Sequence, residues 1–451
     1  MEVSQTIRRP HAVAHDAQQL QEYEQARQIV LANPRNASSS LFKKSFIFIP
    51  LLGMTLLFWV GLSPSQPSIS STDYRARTDK LLKTTPLIDG HNDLPFLLRM
   101  QLDNQIYGDR LPFREKLGSH TDLRRMKEGK LGGQFWSVYI ECPDIVHLDD
   151  PTHNVRDTLE QIDVAKRFIN EYSELHYCDT ASCAMKAFGS GSIASMLGVE
   201  GLHQAGSSIA VIRQFYDLGV RYITLTHNCD NPFATAASTV TMTGKDGGLT
   251  DFGRAGVEEM NRLGMMIDLS HVSHRTMRNV LEISQSPVIF SHTGCYGLAK
   301  SFRNAPDDVI VQLKTNGGII MIYFASKFLD LEHPQNANVE TVADHIFHAV
   351  GLAGWDHVGI GGDFDGTINI ANGINDVSGY PLLMVALMRR GATDEDVRKL
   401  AGENMLRVWR QNEIVALRLQ KTEGIKPAED RWEGRVQVPY QGQLPTLIPG
   451  Y

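Results

Sequence analysis

Short apolar runs recur along the middle of this chain, and several of them stop at a residue able to bind a metal or carry a proton. Leu87-Ile88-Asp89-Gly90 leads into His91-Asn92-Asp93, and Met196-Leu197-Gly198-Val199 into Glu200. Met265-Met266-Ile267-Asp268-Leu269-Ser270 leads into His271, and Pro287-Val288-Ile289-Phe290-Ser291 into His292. Val358-Gly359-Ile360-Gly361-Gly362 leads into Asp363. Apolar runs of about four to eight residues bounded by turn residues predict strands buried on both faces, as in a parallel sheet. Tyr222 to Thr226 and Gly317 to Tyr323 add two more. Between them, apolar residues at helical spacing predict helices over 155–172, 209–218, 252–263, 274–284, 339–352 and 393–410, with Thr393 as a cap for the last. Strand–helix alternation over this length predicts an α/β parallel fold, best a (β/α)8 TIM barrel. Polar residues at the C-terminal ends of barrel strands lie where such folds keep their active sites.

The N-terminal pattern differs. Residues 1–45 are polar and predict a flexible tail. Phe46 to Leu62 is almost uninterruptedly apolar, with Lys43 and Lys44 before it. Residues 46–64 are therefore expected to form one N-terminal transmembrane helix, a signal anchor with its N-terminus cytosolic. A Ser/Pro-rich linker covers 65–80, the catalytic domain 81–425 and a Pro/Gln/Gly-rich extension 426–451. That topology makes a single-pass membrane protein with a lumenal or extracellular domain. The C-terminus has no apolar tail, so no lipid anchor is expected there. A net charge of −7 argues against nucleic acid as a partner. No G-x-G-x-x-G follows the first strand, which removes support for a dinucleotide fold. The five cysteines contain no C-x-x-C, and an oxidising lumen would permit one or two disulfides with one thiol left over.

His91, Asp93, Glu200, His271 and His292 together make a dinuclear metal set. His91 and Asp93 serve one ion, His271 and His292 the other, and Glu200 bridges. Imidazole and carboxylate without thiolate suit zinc, with manganese or cobalt as substitutes. Two ions about 3.5–4 Å apart would share a hydroxide and polarise a carbonyl, with Asp363 as proton shuttle. Singly, each of these residues is more often structural; jointly, five buried charges would otherwise each need a partner. His227 follows a strand and should face the same mouth. His203 and His274 are expected to satisfy helix starts, and His345 and His348 to lie on a solvated helix face.

The chain resembles the membrane dipeptidase (renal dipeptidase) family of zinc peptidases, among the amidohydrolase-like barrels. The resemblance rests on Ile88-Asp89-Gly90-His91-Asn92-Asp93-Leu94-Pro95, Gly198-Val199-Glu200-Gly201, Leu225-Thr226-His227-Asn228-Cys229 and Asp268-Leu269-Ser270-His271-Val272-Ser273. It continues through Ser291-His292-Thr293, Arg303-Asn304-Ala305-Pro306-Asp307-Asp308 and Gly361-Gly362-Asp363-Phe364-Asp365-Gly366. It implies a barrel with two Zn2+ per chain that cleaves dipeptides bearing a free C-terminal carboxylate. His91, Asp93 and Glu200 then form one zinc site, and Glu200, His271 and His292 the other. His227 contacts substrate and steadies the oxyanion, Arg303 clamps the substrate carboxylate and Asp363 is the acid/base. Asp365 is the lesser candidate for that last role, and spacing alone does not separate the two. A Cys142–Cys229 disulfide and a homodimer are also implied, with Cys178–Cys183 as a second candidate pair. The N-terminal anchor departs from the C-terminal lipid anchor common in the family, and Leu202 stands where a second glycine is frequent. Two other readings remain: a related amide hydrolase acting on N-acyl amino acids or β-lactam-like amides, and a non-catalytic membrane-tethered binding protein.

Overall fold

The computed structural model describes Ser70, residues 72–142 and residues 152–434. The tail at 1–45, the anchor at 46–64 and most of the C-terminal extension lie outside the described residues. Among the described residues, no helix is long and apolar enough to cross a membrane.

Among the described residues, nine parallel strands follow in chain order: β1 (Leu87–Asn92), β2 (Leu131–Val138), β3 (Leu175–Tyr177), β4 (Ile193–Glu200), β5 (Val220–Thr224), β6 (Met266–Asp268), β7 (Ile289–Thr293), β8 (Ile319–Ile322) and β9 (Val358–Ile360). Eight of them close into a barrel in the order β1, β2, β4, β5, β6, β7, β8, β9, because β2 pairs with β4 and β9 pairs back to β1. Strand β3 is extra and extends the sheet beside the start of β4. Helices cover the outside, and those over Asp251–Leu263, His274–Ile283 and Val339–Ala353 begin at or within one residue of the predicted start.

One barrel strand escapes the apolar pattern. Every residue of β2 is buried, yet Gly132-Gly133-Gln134 interrupts its run. A Cβ at residue 132 would lie 2.7 Å from Pro86 Cα, so close packing against the chain entering β1 requires the glycine. The helix predicted over 393–410 is also divided. Thr393 caps Asp394–Arg398 with a reciprocal bond from Asp396, the chain kinks over Lys399–Glu403, and Asn404–Leu417 follows. At the kink, a Cβ on Gly402 would sit 2.2 Å from the Pro86 carbonyl oxygen.

The last helix underlies the N-terminal end of the barrel. Asn404 donates to the Val358 carbonyl (2.9 Å), Arg407 to that of Gly317 (2.6 Å) and Asn412 to that of Pro287 (2.9 Å), each at a strand entry. Its Trp409 joins Ile88, Phe135, Met196, Met266, Ile289 and Met321 in a buried hydrophobic cluster. Tyr222 tops that cluster. Gly198, its register partner, has no room for a Cβ, which would fall 2.1 Å from the Tyr222 ring. Apolar packing therefore fills the lower barrel and leaves the opposite end for chemistry.

Candidate active site

All five predicted ligands meet at the C-terminal ends of the strands. His91 lies on β1 with Asp93 just beyond it, Glu200 ends β4, His271 follows β6 and His292 lies on β7. One oxygen of Glu200, Oε1, gathers them. It lies 3.1 Å from His271 Nε2, 3.3 Å from His292 Nε2 and 3.5 Å from His91 Nε2. His91 Nε2 is also 3.2 Å from Asp93 Oδ2. Two ligand triads result, His91–Asp93–Glu200 and Glu200–His271–His292, sharing the glutamate.

Each imidazole is turned so that Nε2 faces inward, by a different partner in each case. Tyr222 Oη gives its proton to the Gly90 carbonyl at 3.1 Å and so accepts from His91 Nδ1 at 2.9 Å. Ser291 Oγ gives its proton to Asp268 Oδ2 at 2.5 Å and accepts from His292 Nδ1 at 2.8 Å. His271 Nδ1 faces the Asn228 amide oxygen at 3.3 Å. With every Nδ1 protonated, the Nε2 lone pairs converge. Those of His271 and His292 stand 3.0 Å apart, and His91 Nε2 faces the carboxylate oxygens of Asp93 and Glu200. Lone pairs held face to face in a buried site repel one another unless a cation lies among them, so the donor set fits a metal. Burial holds His227, His271 and His292 well below the usual histidine value, which keeps them neutral and able to ligate.

The other predicted residues line the same mouth. His227 Nε2 is 3.9 Å from Glu200 Oε1, and its ring lies against those of His271 and Tyr139, with 4.4 Å between centroids in each pair. Arg303 is only 6% exposed. It donates to Thr293 Oγ1 at 3.0 Å and stacks over Tyr323 at 5.5 Å, while its Nε is buried without a partner. Among the described residues, no carboxylate lies within ion-pair distance of it. A buried guanidinium with spare donors is suited to a carboxylate arriving from outside. Asp363 follows β9, and its carboxylate shares a cluster with His91 and His292. Burial, with Asp93 close by, pushes it up to about 7. A bound cation would draw it down again. Asp365 is placed differently, for its Oδ1 accepts from the His120 backbone N–H at 2.6 Å. The structure thus separates two carboxylates that spacing could not.

Several supporting residues carried no visible signal. Tyr222, Ser291 and Asp268 orient ligands, and Asp89 ties β1 to the Asp363 turn by accepting from the Gly362 N–H (2.7 Å), the His91 N–H (3.1 Å) and the Tyr380 hydroxyl. A tyrosine inside a run of buried strand residues was the one clue available for Tyr222. His345 corrects an expectation. It is buried rather than solvated, accepting from the Cys295 N–H at 3.0 Å and facing the Leu329 carbonyl at 3.1 Å. His348 lies half-buried beside Asp307. His203 is also buried and bonds the Ile140 carbonyl at 3.0 Å, while His274 opens its helix and reaches the Asn304 carbonyl at 2.9 Å.

Cys142 and Cys229 form a disulfide joining the segments after β2 and β5, and Cys178–Cys183 forms a second. Cys295 remains a buried thiol. The first bond links the segments that carry Tyr139 and His227 to one another.

Residues 75–423 match the family model described as membrane dipeptidase, peptidase family M19. The chain is 48% identical over 382 residues to an uncharacterized dipeptidase of Schizosaccharomyces pombe, covering 83% of this chain and 91% of that one. It is 45% identical over 356 residues to the dipeptidase verJ of Clonostachys rogersoniana, covering 78% and 90%. Among solved structures it is similar to a metallopeptidase from Rhodobacter sphaeroides liganded with a phosphinate mimic of the dipeptide L-Ala-D-Ala. The TM-score there is 0.64 at 26% identity, over 73% of this chain and 99% of that one.

Proposed function

From the premise that this chain belongs to the membrane dipeptidase family, M19, and is a metallo-dipeptidase, we propose a dizinc site cleaving dipeptides with a free C-terminal carboxylate. His91 and Asp93 would hold one ion and His271 and His292 the other, with Glu200 as the ligand common to both. When bound, the ions supply Lewis acidity and lower the pKa of water at the site. The chain's own residues do the rest. Arg303 takes the substrate carboxylate in its planar fork, which fixes the scissile carbonyl over Glu200. His227 donates to the carbonyl oxygen as negative charge develops there. Asp363 accepts the proton of the attacking water at a carboxylate oxygen and returns it to the leaving amine. The observation that carries this reading is Glu200 Oε1, on which three imidazole Nε2 atoms converge within 3.5 Å while Asp93 Oδ2 lies 3.2 Å from the same His91 Nε2.

The same proposal keeps residues 46–64 as the anchor, 1–45 as a cytosolic tail, 81–425 as the catalytic domain on the lumenal or outer side, and a homodimer as the assembled form. A hydrolase of N-acyl amino acids or β-lactam-like amides would use the same clamp and differ only in what lies beyond the scissile bond. Purified full-length protein, assayed on L,L- and L,D-dipeptides beside N-acyl amino acids, separates them. Chelation should abolish dipeptide turnover, and titrated zinc should restore it fully at two equivalents. Full recovery at one equivalent would sink the dinuclear assignment, and turnover confined to N-acyl substrates would sink the dipeptide one.

A further inference from the structure

Asp363 and Asp365 both have left-handed backbone, with φ of 59° and 66°. Such a conformation costs a non-glycine residue on the order of 1 kcal/mol and persists only where surroundings impose it. Here the imposing partner is known. His120 reaches across from the segment before β2, its backbone N–H donating to Asp365 Oδ1 at 2.6 Å and its Nδ1 accepting from the Asp365 N–H at 3.0 Å. The His120 ring also lies 5.7 Å from that of Phe364, the residue between the two aspartates. On its other flank the turn is tied to the first metal-binding segment, since the Asp93 N–H donates to the Phe364 carbonyl at 2.9 Å. Next in the chain is Gly366, where a Cβ would fall 2.6 Å from Asp363 Oδ1 and 2.1 Å from Asp93 Oδ2. The Asp363 carboxylate thus has a fixed place, set by a turn that His120 and Asp365 lock.

We infer that Asp365 and His120 are positioning residues for the proton shuttle: their two reciprocal hydrogen bonds hold the turn that aims Asp363, and neither touches substrate. This inference rests on the reading of Asp363 as the shuttle. It also accounts for a second buried carboxylate two residues from the first that has no chemical step of its own. Misplacing a reacting group by about an ångström can cost on the order of a hundredfold in rate.

Four variants of the zinc-loaded full chain test it, each checked for metal content and melting temperature. Asp365→Gly keeps the left-handed backbone free of strain but deletes the acceptor. It should lower kcat roughly 10- to 100-fold, with KM within about twofold and both ions retained. His120→Phe deletes the Nδ1 acceptor while keeping a ring against Phe364, and should lower kcat in the same way. Asp365→Asn keeps an acceptor oxygen and should recover kcat to within a few fold of the native enzyme. Asp363→Asn is the reference. If it stays active, the shuttle reading fails. If it is dead while Asp365→Gly turns over at the native rate, the positioning role alone is overturned. Loss of metal in Asp365→Gly, or a rise in KM with kcat unmoved, would overturn it as well.

Discussion

The two ends of the barrel are built from the same eight strands and obey different rules. At the N-terminal end, Trp409, Ile88, Phe135, Met196, Met266 and Met321 pack in a buried hydrophobic cluster. At the C-terminal end, a few residues further along the same strands, His91, Asp93, Glu200, His271, His292 and Asp363 share one small volume. Three non-glycine residues there, His271, Asp363 and Asp365, have positive φ, whereas no residue of the strands beneath them does. The lower half is what stability alone selects, and the upper half is what it would avoid. Tyr222 stands at the seam, its ring in the lower cluster and its hydroxyl on His91. The contrast teaches that the floor holds the mouth in an arrangement the mouth could not maintain unaided.

The largest effect should separate the two ends outright. Glu200→Ala removes the oxygen shared by both triads, so both ions should be lost and turnover should fall by roughly 10²- to 10³-fold or more. Metal analysis of the purified variant decides this, and retention of two ions would refute the bridge. Trp409→Ala should do the reverse. Truncating a fully buried aromatic in the floor should cost about 3–5 kcal/mol of stability, while kcat per folded, metal-loaded molecule changes little. Denaturant unfolding combined with active-site titration measures both. A fall in kcat as steep as that of Glu200→Ala would erase the distinction between the ends.

The same division explains what the sequence could disclose. The ligands were legible because each ends an apolar run, and burial of a strand on both faces leaves a continuous apolar trace. The barrel was legible from seven of its strands, and β2 was not, because Gly132, Gly133 and Gln134 answer to the chain at Pro86 rather than to strand propensity. The orienting partners left no local mark. Tyr222 serves a histidine 131 positions away, and its role exists only once β1, β4 and β5 are in register. Asp363 and Asp365 look alike in sequence and differ through His120, which is 245 positions from Asp365. His345 misled because helical spacing places it beside His348 without saying which neighbour covers it. Local pattern reveals which face is buried; it does not reveal which distant residue completes a polar pair.

A finer test probes the seam. Tyr222→Phe keeps the ring that fills the floor and removes the oxygen that fixes the His91 tautomer, so stability should hold. Zinc affinity should drop about 10- to 100-fold, as is usual when a ligand loses its hydrogen-bonded partner. Competition with a chromophoric chelator reads this directly, and an unchanged affinity would mean that Glu200 and Asp93 orient His91 by themselves.

The smallest effect concerns the cost of the mouth itself. In metal-free protein, burial and Asp93 raise Asp363 to about 7, above its ordinary value of 3.8. A folded-state pKa above the unfolded one means that the folded chain holds its proton more tightly. The resulting stability is fully present below 3.8 and is lost progressively as pH rises from there through about 7. An asparagine there never ionises. Chelator-stripped Asp363→Asn should therefore unfold later than stripped native protein at pH 8.5, by about 1 kcal/mol or more, with the gap smaller at pH 5.5 and closing only below the ordinary carboxylate value of 3.8. With zinc restored the gap should shrink at both pH values, because cations favour the ionised carboxylate. A variant equally or less stable than native at pH 8.5 would show that the stripped mouth tolerates this charge, and that the two ends differ in chemistry more than in strain.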